Sequence, residues 1–151
     1  MDFLLFKWLH IGAMFMATAL AVGPFVVLYL VARSRDLASI RRAFFFSTPI
    51  GRIGGAMYGL GILFGIVAAL TGAIDMTATW LLTAYVLVVV LGVNGLRAER
   101  WMGRVHSAAE AGGADEVDRL VRDRSAVTLL TIMVVVTLAI IFVMVVKPTL
   151  F

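Results

Sequence analysis

The chain has 151 residues, of which 62% are hydrophobic and 15% charged, with a net charge of +4 and a mean hydropathy of +1.04. Soluble domains average about a quarter charged residues, so this composition excludes a water-covered globule and requires an apolar surface facing lipid. The absence of cysteine excludes disulfides, thiolate-bound zinc, iron–sulfur clusters and thiol catalysis.

Four apolar runs follow one another at residues 3–32, 44–72, 80–96 and 126–146. Each meets or approaches the roughly 20 residues that a helix needs to cross about 30 Å of hydrocarbon. In the first run, Ala19-Leu20-Ala21 resembles a signal-cleavage site. Asp2 stands where a basic cluster would be, however, and the run continues well past Ala21, so an uncleaved span is expected. The predicted architecture is all-α: an integral membrane four-helix transmembrane bundle, one domain over residues 1–151.

Orientation follows from the basic residues. Arg33, Arg35, Arg41, Arg42 and Arg52 lie between or beside the first two spans. Arg97, Arg100, Arg104, Arg119, Arg122 and Arg124 lie between the last two. Only Lys7 and Lys147 fall on the other side, so the split is eleven to two. Basic residues stay cytoplasmic, which places both termini outside and accounts for the net charge without nucleic acid.

The cytoplasmic segments carry their own periodicity. Residues 36–46 predict a short amphipathic helix feeding the second span. Residues 115–123 predict a helix running into the fourth, with Asp115/Arg119 and Asp118/Arg122 at i,i+4. Ser107 and Glu110 have the spacing of a capping box, although Gly112-Gly113 follows at once.

His10 is the one histidine inside a span, roughly 10 Å along the helix from its outer end at 1.5 Å per residue. An ionisable group at that depth is a functional candidate by default. Ala13, Ala17 and Ala21 share its face, leaving room for a flat ligand such as a porphyrin held through a ring nitrogen. The alternative is an interfacial histidine bonded to a neighbouring hydroxyl or headgroup. Lys7, one turn away, either neutralises an anion such as a propionate or snorkels towards headgroups. Met144 lies at a similar outer depth and is a candidate second axial ligand. Gly51, Gly55 and Gly59 recur at fourfold spacing, with Gly61, Gly65 and Ala69 on an adjoining stripe. Small residues so placed let a helix or a planar cofactor approach closely, and the fourfold line is expected to carry packing. Thr79, Thr83 and Asn94 on the third span, with Thr128 and Thr131 on the fourth, are expected to bond across helices or to their own carbonyls. His106, in the basic loop without a histidine or cysteine partner, is expected to be solvated.

No predicted span contains a carboxylate, which argues against a proton relay or cation-coupled transporter. No phosphate-binding glycine loop, HExxH or serine-nucleophile motif is present, which argues against hydrolytic or ATP-driven chemistry.

The opening Lys7-Trp8-Leu9-His10 resembles the Lys-x-x-His start of HemJ-type protoporphyrinogen oxidases and the related CopD-like membrane proteins. The likeness extends in outline to Gly51-Arg52 before a glycine-rich second helix and to Trp80 opening the third. It is nearest to a bacterial family of four-helix integral membrane proteins in that neighbourhood. The resemblance implies b-type haem on His10, with Lys7 beside it. The oxidases also carry basic residues on the third helix, whereas residues 80–96 contain no Lys, Arg or His.

The resulting expectation is a small protein of the bacterial cytoplasmic (inner) membrane that binds haem b or a similar planar cofactor, with His10 as the metal ligand. Lys7, Ala13, Ala17 and Met144 complete the expected site, and the role is haem handling or electron transfer. The rival is an accessory subunit packing against a larger respiratory or photosynthetic complex, or against a second copy of the chain. A reporter fused after Phe151 is expected to read as periplasmic and one at Gly112 as cytoplasmic. The reverse at both positions would overturn the orientation.

Overall fold

The computed structural model describes residues 1–148. Five helices follow in order: α1 (Asp2–Ala32), α2 (Leu37–Thr71), α3 (Thr79–Glu110), α4 (Ala114–Arg122) and α5 (Ser125–Val146). All but α4 are long and apolar enough to cross a bilayer, giving an all-α, multi-pass membrane bundle.

α1 and α2 form a close antiparallel hairpin, and glycine sets the distance between them. A methyl at Gly72 would lie 2.7 Å from the Phe3 ring, one at Gly65 2.8 Å from the His10 ring, and one at Gly61 2.5 Å from the Met14 sulfur. At Gly54 it would meet the backbone of α1 itself, 3.0 Å from the Leu20 carbonyl carbon. Pro24, inside α1, has no N–H to offer the Leu20 carbonyl four residues back. The tightest backbone approach therefore falls where α1 has lost a helical hydrogen bond.

α3 and α5 form the second pair. Asn94, 4% exposed, donates its side-chain amide to the Leu129 carbonyl at 2.9 Å. Leu91, Met133 and Ile140 pack along the same seam. Contact between the two pairs is sparser than within either.

The arginine-rich end carries a true hydrophobic core. Trp101 is fully buried among Phe25, Leu28, Ile40, Val105 and Val117. Its ring lies 5.5 Å from that of Phe25 and 6.2 Å from that of Tyr29, and its indole N–H donates to the Leu120 carbonyl at 3.3 Å. The α1–α2 turn is tied to α4 by Arg35 and Asp118 at 2.7 Å. Asp36 caps α2, accepting from the Ala38 amide at 3.1 Å. The Ser39 hydroxyl, which also donates to this carboxylate, holds its pKa below the ordinary value. The stability this supplies is fully present above the unfolded pKa near 3.8 and is lost as pH falls through the lowered folded value.

Several expectations are corrected here. The predicted 36–46 segment is the first turns of α2, without a break. The third helix does not stop at residue 96 but continues to Glu110, so Ser107 and Glu110 end a helix and form no capping box. α4 stops at Arg122, and Asp123 in extended conformation separates it from α5. Asp118 pairs with Arg122 at 2.7 Å as expected, but Arg119 takes Glu116 rather than Asp115, also at 2.7 Å. The expected packing line is also displaced, because Gly51, Gly55 and Gly59 meet nothing within 4 Å while Gly54, Gly61, Gly65 and Gly72 form the seam.

Gly54→Leu is expected to lower stability by about 1–3 kcal/mol, as overpacking against unyielding backbone does. Gly59→Ala, projecting into open space, should leave it near wild type. Thermal unfolding in detergent checks both. Equal effects at the two positions would contradict the seam.

Candidate functional site

His10 lies on the face of α1 that meets α2, half-buried, with Nδ1 2.7 Å from the Gly61 carbonyl oxygen. A carbonyl only accepts, so Nδ1 carries the proton, and in the neutral ring Nε2 keeps its lone pair. Nε2 has no hydrogen-bond partner among the described residues. The ring rests against Gly65, where a methyl would sit 2.8 Å from Nδ1. Three features therefore orient the imidazole: its depth on α1, the Gly61 carbonyl and the absence of a side chain at Gly65. The pair Phe6 and Phe64, ring centres 6.4 Å apart, lies on the same two helices nearby in sequence.

The other residues singled out from the sequence are distributed differently. Ala13 is 9% exposed and Ala17 fully buried. Their methyls are covered by neighbouring helices, and they form no open floor beneath the ring. A porphyrin on Nε2 would have to extend away from that strip. Met144 packs with the Leu91, Met133 and Ile140 cluster. Lys7 is exposed, its ammonium 5.9 Å from the centre of the Phe3 ring. Lys147 stands similarly over Trp80 at 5.2 Å. The donor chemistry of a haem ligand is thus present in His10, whereas the alanine strip and Met144 serve helix packing.

Three of the polar span residues bond as expected, whereas Thr137 buries its hydroxyl without a partner among the described residues. Thr83 and Thr131 donate to carbonyls of their own helix four residues back, and Asn94 bonds across to α5. His106 does not behave as expected. It stacks on Phe44 at 3.9 Å with the rings 3° from parallel, reaches Glu110 at 3.3 Å, and buries Nδ1 without a partner among the described residues. The sequence signal was available in α3's helical continuation, which brings position 106 back over α2.

Two openings lie elsewhere. A groove of about 430 Å³ runs between α2 and α3, with Gly51 and Gly55 on one wall, Gly92 and Gly95 on the other, and Arg52 and Glu99 also lining it. A wider hollow of about 1010 Å³ lies where α3 and α5 meet at the arginine-rich end. Neither includes His10. Among the described residues no cluster of three or more His, Cys, Asp or Glu side chains is placed to hold a metal ion. No family model, curated protein or solved structure matches the chain.

Proposed function

We propose that this chain is a small protein of the bacterial cytoplasmic membrane that presents His10 as the axial ligand of a b-type haem or a similar planar cofactor, in haem handling or electron transfer. The observation behind this reading is the bond from Nδ1 to the Gly61 carbonyl at 2.7 Å. A metal-ligating histidine is commonly held in this way, by a backbone carbonyl that fixes the tautomer and turns the second nitrogen outward. Haem ligated by histidine supplies reversible one-electron chemistry. The chain's own contribution is orientation of the imidazole through Gly61 and Gly65, and exclusion of water by the lipid-facing residues around them. Met144 packs into the α3–α5 seam, so in this reading His10 is the ligand and Met144 is not.

The purified protein from haem-replete cells should show a Soret band. His10→Gln keeps an amide donor for the Gly61 carbonyl, so it should abolish the band with little change in melting, while Met144→Leu should leave the spectrum unchanged. Gly65→Ala, which presses on Nδ1, should shift the band. A colourless wild-type protein that takes up no added haemin would sink the reading.

The second reading, an accessory subunit in a larger complex or a homodimer, is favoured by the glycine-lined groove. Gly51, Gly55, Gly92 and Gly95 meet nothing within 4 Å, so the α2 and α3 backbones are open to close approach by another transmembrane helix. Gly55→Leu with Gly92→Leu should then reduce co-purification of a membrane partner, or shift the chain from dimer to monomer, while monomer melting stays near wild type. Unaltered assembly in the double variant would remove this reading.

A further inference from the structure

The hollow at the arginine-rich end is graded in polarity along both of its walls. On α3, Arg104, Arg100 and Arg97 descend towards the membrane interior and are followed one turn deeper by Asn94. On α5, Ser125 leads to Thr128 and then to Ile132. Charge, hydroxyl and amide, and hydrocarbon thus follow in order with depth. The charge is unopposed. None of the three arginines has a carboxylate partner among the described residues, and Glu116, the one acidic residue in the lining, is already bound to Arg119 at 2.7 Å.

Two further polar residues of its lining bear on what it could hold. Asn94 is 4% exposed and uses its amide N–H on the Leu129 carbonyl, while its Oδ1 has no partner among the described residues. The Ser125 hydroxyl is shielded and also partnerless among them. A buried polar group without a partner costs free energy unless water or a ligand completes it. The first turn of α5 opens here as well: the Asp123 carboxylate already accepts the Ser125 N–H at 3.1 Å, and the helix N-terminus as a whole favours negative charge.

We propose that this hollow binds the phosphate of an anionic glycerophospholipid. The arginines and the start of α5 take the phosphate, Asn94 and Thr128 meet the glycerol level, and Ile132 lies along the acyl chains. The same phosphate chemistry is offered by inorganic phosphate, but only a lipid matches all three levels. The arginine spacing i, i+3, i+7 is visible in the sequence, where it serves topology. The depth order of the hollow depends on α5 crossing beside it.

The test uses the full chain in detergent, titrated with phosphatidylglycerol, phosphatidylcholine or inorganic phosphate, with bound lipid counted by native mass spectrometry. Phosphatidylglycerol should bind preferentially, and each arginine removed among Arg97→Gln, Arg100→Gln and Arg104→Gln should weaken it about fivefold. The charge-matched control, Arg33→Gln with Arg41→Gln and Arg42→Gln, lies outside the hollow and should retain the preference. Ser125→Ala and Asn94→Leu should also weaken binding, with Ser125→Ala keeping wild-type melting in case Asn94→Leu does not fold. Equal loss in the control triple would show surface attraction only. Saturation by inorganic phosphate alone, or equal binding of phosphatidylcholine, would equally overturn the proposal.

Discussion

Lipid exerts no hydrophobic force between helices, and the architecture depends on where that force is recovered. The larger buried apolar cluster among the described residues surrounds Trp101, where α1, α2, α3, α4 and the start of α5 converge at the arginine-rich end. Burial there of Trp101, Ile40, Val105 and Val117, which lie outside the predicted apolar runs, draws on water as the driving medium. Within the spans, cohesion rests on close approach instead. The α1–α2 seam is accordingly built from glycines against side chains and backbone, and the two helix pairs remain parted by a groove. One clamp at the water side lets the membrane part stay open.

The His10–Gly61 bond has two aspects in that setting. A neutral imidazole in an apolar surrounding is stable only if its N–H finds an acceptor. The carbonyls of α2 are engaged in helical bonds but retain a second lone pair. Gly61 and Gly65 bring that lone pair within reach by removing the side chains that would cover it. The arrangement satisfies the donor and leaves the acceptor nitrogen to other chemistry. Structural and ligand roles for this histidine are compatible, and a variant that separates them must preserve the donor.

The four spans were legible because long apolar runs have few alternatives in a chain of this composition. The end of α3 was not, since Arg97, Arg100 and Arg104 interrupt the apolar run. Yet Ala98, Trp101, Val105 and Ala109 keep a buried helical stripe through it, and that periodicity was the available signal. The glycine seam was half legible. Fourfold spacing picked out Gly51, Gly55 and Gly59, but helical periodicity alone does not say which face a partner covers. The adjoining stripe with Gly61 and Gly65 proved to be the one against α1. His10 could be read by depth, whereas its acceptor lies 51 residues away and follows only from how α1 crosses α2. Ala13 and Ala17 were rightly placed on the same face, but that face is filled by helix packing.

The pairing also bears on how the chain is made. α1 and α2 are joined by a four-residue turn and meet along their length, so the hairpin is complete as soon as Thr71 has been synthesised. α5 is the most apolar helix, carries no charge, and partitions into lipid without help. α3 comes between these events: its extension past residue 96 meets Phe25, Leu28 and Ile40 of the hairpin, and α4 and the first turn of α5 then close over Trp101. In chain order the hairpin comes first, and α5 is the helix that completes the enclosure of Trp101.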